Sequence, residues 1–187
     1  MGARMDHAVA AGWGFAEATA FFIVPDVWLS KVALRHPRRS METTLSALGG
    51  ALVGGVLTYR WGAKVPADES SAMLQRLPAI SETMIATAER DLVAKGDLAV
   101  LVGPTKGVPY KIFARTSGLQ GRSLPAFLAW SVPARMTRFV LVPGASHLAH
   151  TAGKKLFPGQ ISWLAPTVYW AGWTAFYVWY FRTVGRD

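Results

Sequence analysis

No cysteine occurs among the 187 residues, which removes disulfides, thiol catalysis and zinc–thiolate sites from consideration. Charge is scarce: Asp, Glu, Lys and Arg make up 17% of the chain, against roughly 25% in soluble domains. Acid is scarcer still, with 11 carboxylates facing 20 lysines and arginines for a net charge of +9. Two catalytic signatures are missing as well. Gly103-Pro-Thr-Lys-Gly has glycines and a lysine but not the P-loop spacing, and no Gly-x-Ser-x-Gly elbow surrounds a serine. His147 and His150 lie one helical turn apart with no carboxylate following nearby, so neither a metal site nor an organic cofactor is expected. Met1 to His7 is polar, the run after it contains Glu17, and no small-residue cleavage site follows; a cleavable signal is not expected.

What the chain has is apolar surface. Hydrophobic residues are 51% and the mean hydropathy is +0.24. The eight tryptophans fall largely near the ends of apolar runs, the place that amphipathic rings take at a membrane interface. The basic residues are scattered between these runs and form no single stripe, which disfavours nucleic acid and points to anionic lipid head groups as the counter-charge. The length fits one domain, 1–187.

The apolar runs are interrupted in an informative way. Segment 12–34 carries Glu17 and Pro25-Asp26, and segment 98–119 carries Lys106, Lys111 and Arg115 around Pro104 and Pro109. A charge at the bilayer centre costs roughly 2.5–3.5 kcal/mol, and broken backbone at that depth survives only when buried in protein or lining a wet cavity. Both segments therefore read as re-entrant, although 12–34 also admits a single kinked span. Between them, 41–62 reads as the cleanest spanning helix, with Gly50 and Gly54 forming a small-xxx-small pair for close packing. Residues 70–95 hold much of the acid and repeat Leu77, Ile80, Met84, Ile85, Ala88 and Leu92 at helical spacing. That pattern gives an amphipathic helix lying on the membrane or on the bundle, with Pro78 in its first turn or dividing it. Segment 122–150 reads as a span with a kink at Pro133 and with Arg135 and Arg138 near its midpoint. They require partners, for which the deep acids are Glu17 and Asp26. Segment 161–182 reads as a plain aromatic span. Basic loops on both sides leave the positive-inside rule without a clear vote.

These residues together resemble the YqaA-like branch of the DedA (SNARE-associated, VTT-domain) membrane proteins. The first resemblance lies in FAEATAFFIVPDVWLSKVALRHPRRS, an acid and a short apolar run leading to a Pro-Asp turn and a basic loop. The following glycine-bearing helix ends in Tyr59-x-x-Gly62, GVPYKIFARTSG is similar to the family's second broken stretch, and ARMTRF to its Arg-x-x-Arg-Phe motif. The ordered set covers about residues 12–179. Val24 and Gly107 depart from it, standing where relatives often carry proline, so looser segment tips are expected. The paired arginines of the broader group near the second segment are also missing, replaced by Lys106, Lys111 and Arg115. The resemblance implies an all-α, inverted-repeat bundle of two re-entrant hairpins, about three full spans and an amphipathic helix. It also implies residence in the bacterial plasma membrane and movement of phospholipid or polyprenyl-phosphate carriers between leaflets, in some members with proton coupling.

The residues themselves reach a compatible chemistry. Paired broken segments place ligand sites at the midplane of transporter folds. Lys111 and Arg138 are candidates for a phosphate, one as a point charge and one as a bidentate fork, with Arg135 beside them. Glu17 and Asp26 are candidates for counter-ions or proton acceptors. Pro25, Gly107 and Pro109 mark the turns. The expected partners are anionic phospholipid or lipid phosphate head groups, and a homo-oligomer is compatible with the sequence. A purely structural ion-pair network, a membrane assembly factor, a coupled small-solute transporter and a lipid-phosphate enzyme are the competing readings.

Overall fold

The computed structural model describes residues 2–183, which form nine α-helices and one 3₁₀ turn, with no strand among the described residues. Helix α1 (Ala3–Thr19) begins earlier than the polar Met1–His7 stretch suggests. Asp6 in its first turn suits the positive end of the helix dipole and pairs with Arg39 at 3.1 Å. The chain then breaks over 20–25 and resumes as α2 (Asp26–Arg35), with Pro25 at the N-cap. It does not continue onward. Trp13 Nε1 donates to the Ile23 carbonyl at 2.9 Å and Trp28 Nε1 to the Asp6 carbonyl at 3.3 Å, so the break and α2 fold back along α1. Segment 12–34 is thus part of a hairpin, and the kinked-span alternative falls.

Helix α3 (Pro37–Lys64) starts on a proline, whose missing N–H costs nothing in the first turn, and runs parallel to α1. His7 meets Ser46 at 2.8 Å near one end, and Thr58 donates to the Ala18 carbonyl at 2.8 Å near the other. The glycines allow this closeness: a Cβ on Gly50 would collide with the Ala11 backbone, and one on Gly54 would lie 2.7 Å from the Phe15 carbonyl.

The 70–95 stretch is two helices, α4 (Ala67–Gln75) and α5 (Glu82–Lys95), divided around Pro78. Ser81 caps α5 by accepting from the Met84 N–H at 3.3 Å. The apolar face expected here is buried: Ile80, Met84, Ile85, Ala88 and Leu92 join one core cluster with Ile112, Phe113 and Phe127. That face therefore packs on the bundle. Arg115, fully buried, ties the two helices to the second hairpin, donating to Ser70 Oγ at 2.9 and 2.7 Å, to the Ala67 carbonyl at 2.6 Å and to Glu89 at 2.7 Å.

The second hairpin comprises α6 (Leu98–Val102), a 3₁₀ turn (Gly103–Lys106) and α7 (Tyr110–Leu119). Its tip turns at Gly107, whose φ of +82° favours glycine. Its base closes with Arg122 on Asp97 at 2.7 Å. Helix α8 (Leu124–Leu156) carries Pro133 and Pro143 inside it. Pro143 cannot donate to the Phe139 carbonyl, and the Thr44 hydroxyl donates there instead at 3.1 Å. Helix α9 (Ile161–Thr183) completes the bundle with no buried residue.

The two halves exchange partners. Helix α2 packs chiefly on α8, and α7 on α3, while α3 and α8 run in opposite directions, as the Thr44–Phe139 bond and the Tyr59–Phe127 stack at 5.9 Å require. Segments 41–62, 122–150 and 161–182 are indeed helical, but no described helix is long and apolar enough to cross a membrane. The reasons differ by helix. Glycines, hydroxyls and arginines dilute α3, Arg135 and Arg138 interrupt α8, and α9 carries seven tryptophans and tyrosines, whose polar handles lower their hydropathy.

Replacing Gly50 with leucine is expected to cost about 1–3 kcal/mol through overpacking against α1, read as a lowered Tm of the purified protein. Gly49→Leu, where an added Cβ meets nothing beyond its own helix within 4 Å, should not lower Tm.

Candidate functional site

The tips of the two hairpins meet. Lys111, in the first turn of α7, reaches across to donate to the Phe21 carbonyl at 2.8 Å, just beyond the C-terminus of α1. A cation there also suits the negative end of the α1 dipole. Lys111 is 2% exposed and has no carboxylate within ion-pair distance among the described residues.

The arginines of α8, one turn apart, each take one acid of the first hairpin. Arg135 Nη2 contacts Glu17 at 2.5 Å with both side chains almost wholly buried. Its guanidinium also lies 4.0 Å from the centre of the Tyr110 ring, a cation–π contact. Arg138 grips one oxygen of Asp26 from two nitrogens, at 2.9 and 2.6 Å. Asp26 is fully buried, whereas the Arg138 side chain is 36% exposed. The second Asp26 oxygen, Oδ1, has no hydrogen-bond partner in the structure, nor does Arg135 Nε. Two carboxylates and three cations thus converge, and the positive charge in excess sits on Lys111.

A cavity of about 950 Å³ opens over this cluster, and Glu17, Asp26, Lys111, Arg135 and Arg138 all line it. So do Gly107 and Pro109 of the second tip. Pro25 does not; it serves the backbone, its carbonyl accepting from the Trp28 and Leu29 N–H groups at 2.9 and 3.0 Å. Lys106 and Arg115 play other parts. Lys106 bonds Asp91 at 3.1 Å, pinning the second tip to α5. With bonds from Lys95 and Lys106, the Asp91 carboxyl is held below its ordinary range.

The tips are held, contrary to the looser turns expected. Because residue 24 is valine and not proline, it has an N–H, and this donates to the Tyr177 hydroxyl at 2.8 Å. Because residue 107 is glycine it can adopt its left-handed turn, and its carbonyl accepts from the Tyr180 hydroxyl at 3.2 Å. Tyr169 donates to the Val27 carbonyl, and Trp173 Nε1 to Ser30 Oγ at 3.2 Å. The helix read as a plain aromatic span is therefore the clasp of both broken segments. The available signal was the inward spacing of Tyr169, Trp173, Tyr177 and Tyr180, four polar-tipped rings on one face. His147 and His150 gather no third ligand: no cluster of three metal-binding side chains occurs among the described residues.

Set beside known proteins, the chain is 26% identical over 153 residues to an uncharacterized protein of Haemophilus influenzae, covering 80% of this chain and 77% of that one. No family model and no solved structure matches it.

Removing Arg135 alone strands the buried Glu17, and breaking such a pair costs about 3–5 kcal/mol. Arg135→Ala should accordingly fall sharply in thermal stability, while the neutral double variant Glu17→Gln/Arg135→Met should recover most of the loss.

Proposed function

We propose that this chain is an integral membrane protein that moves a phosphate-bearing lipid, a phospholipid or polyprenyl phosphate, between leaflets. The observation that carries the reading is the cavity: a charged floor with one unbalanced cation beneath walls of aliphatic and aromatic side chains. A lipid head group leaving water needs charges that offset its lost hydration, and its tail needs apolar surface. Lys111 supplies the unpaired cation, and the partly exposed Arg138 supplies donors that a phosphate can share with Asp26.

The distribution of side chains supports a lipid surround. Glu17, Asp26, Lys111, Arg115 and Arg135 are buried, while Leu45, Val53, Leu141, Leu148, Trp163 and Trp170 are all more than half exposed. Apolar exposure of this extent marks an interaction surface. On this reading the two hairpins are re-entrant halves of an inverted repeat, the exchanged packing of α2 and α7 being the interface between halves. The resemblance to the YqaA-like branch of the DedA proteins points the same way. The limited hydropathy of α8 is then in part the cost of carrying the site, since Arg135 and Arg138, which lie in its middle, help to build it.

The competing reading, an assembly factor stabilised by ion pairs, draws on the closed geometry of Glu17–Arg135 and Asp26–Arg138. It accounts for Lys111 as a link between the tips but not for the cavity that opens over it.

The test is transbilayer movement of fluorescent phospholipids and of a polyprenyl phosphate in liposomes containing purified protein. Wild type should accelerate at least one of them. Lys111→Gln should reduce the rate at least tenfold while keeping its Tm, and Glu17→Gln/Asp26→Asn should also lose activity. No acceleration of any head group would sink the proposal.

A further inference from the structure

The lipid path proposed above requires only the head group inside the protein, with the tail left in the bilayer. The cavity extends well beyond the charged cluster, however, between α8 and α9. Its α8 wall is Val142, Ser146, Ala149 and Gly153, small side chains on one helical face. The hydroxyl of Ser146 is turned onto its own helix, donating to the Val142 carbonyl at 2.9 Å, so this wall is apolar apart from the neighbouring His150. The facing α9 wall presents Leu164, Val168 and Phe176.

From Arg138 to Gly153 at ~1.5 Å per residue, the α8 side of this slot is about 22 Å long. A single leaflet is about 15 Å deep, half the hydrocarbon core. The slot is thus long enough for a whole hydrocarbon chain, and it is closed at one end by the cations that would hold a phosphate. An apolar channel with an ionic terminus matches an amphiphile and neither a free phosphate nor a hydrocarbon alone.

We propose that a hydrocarbon chain of the phosphate-bearing lipid is bound inside the protein, in the slot between α8 and α9, while its head group lies at the hairpin tips. This rests on the lipid reading above. It distinguishes a carrier-like mode, with tail and head both held, from a groove past which only the head group slides.

Two photoreactive phosphatidylglycerols separate the outcomes in protein-containing liposomes, one with a diazirine at the end of an acyl chain and one with it on the head group. The tail probe is expected to label the half-buried Ser146 or Leu164, in addition to outward residues such as Leu141, Leu148 and Trp170, as mapped by mass spectrometry. Ala149→Trp, which fills the slot, should reduce this inner labelling at least tenfold. Leu148→Trp, on the outer face, should not. Labelling by the tail probe confined to outward residues, with the head-group probe still labelling around Lys111 and Tyr177, would overturn the tail slot and leave the lipid reading standing. Failure of both probes to label the interior would overturn both.

Discussion

The structure depends on two ion pairs that cross from the first hairpin to α8. Trp13, Lys111 and Tyr177 hold the backbone of the broken segment 20–25 itself, while the ion pairs fix the helices on either side of it to α8. Glu17 sits near the end of α1 and Asp26 at the start of α2, so the pairs grip the break from both sides. Arg135 and Arg138, one turn apart on α8, match that spacing. A buried pair of this kind is poor evidence of net stability, because desolvation offsets much of the attraction. Its value here is register: each arginine takes one acid, and sliding α8 by a turn would leave at least one carboxylate buried and unpaired.

The charges are distributed with the same economy. Asp6–Arg39 closes the base of the first hairpin and Asp97–Arg122 the base of the second. Arg115 fastens α4 and α5, and Asp91 fastens the second tip. Among the lysines and arginines near the hairpin tips, Lys111 is the one left with a backbone carbonyl in place of a carboxylate. That exception is what turns a structural network into a candidate binding site. The cavity lies over it, and the clasping tyrosines of α9 stand at the same place.

Much of this was legible in the residues because an apolar chain offers few ways to satisfy a charge. Arg135 and Arg138, set deep in a helix, had Glu17 and Asp26 as their only deep acids, and the pairing followed. Prolines at 25, 104 and 109 marked the breaks for the same reason, being unable to donate. The role of α9 was not legible. Tyrosine and tryptophan in an apolar run suit a membrane interface equally well, and the one-face spacing of Tyr169, Trp173, Tyr177 and Tyr180 does not by itself say whether their polar tips meet protein or head groups. Val24 was misleading in another way: the loss of a rigid proline suggests a looser tip, but the N–H gained in exchange is what Tyr177 binds. The start of α1 was missed because polarity at Met1–His7 hides an acid that suits a helix N-terminus.

Chain order gives the ion pairs a further significance. Glu17 and Arg135 are separated by 118 residues, and Asp26 and Arg138 by 112. At the ~5–20 residues per second of protein synthesis, about 6–24 s pass between the emergence of each acid and of its arginine. Over that interval the first hairpin carries two carboxylates with no cation to meet them. Neither pair can therefore form until α8 is made. The segment synthesised first thus owes its two ion pairs to residues near the far end of the chain.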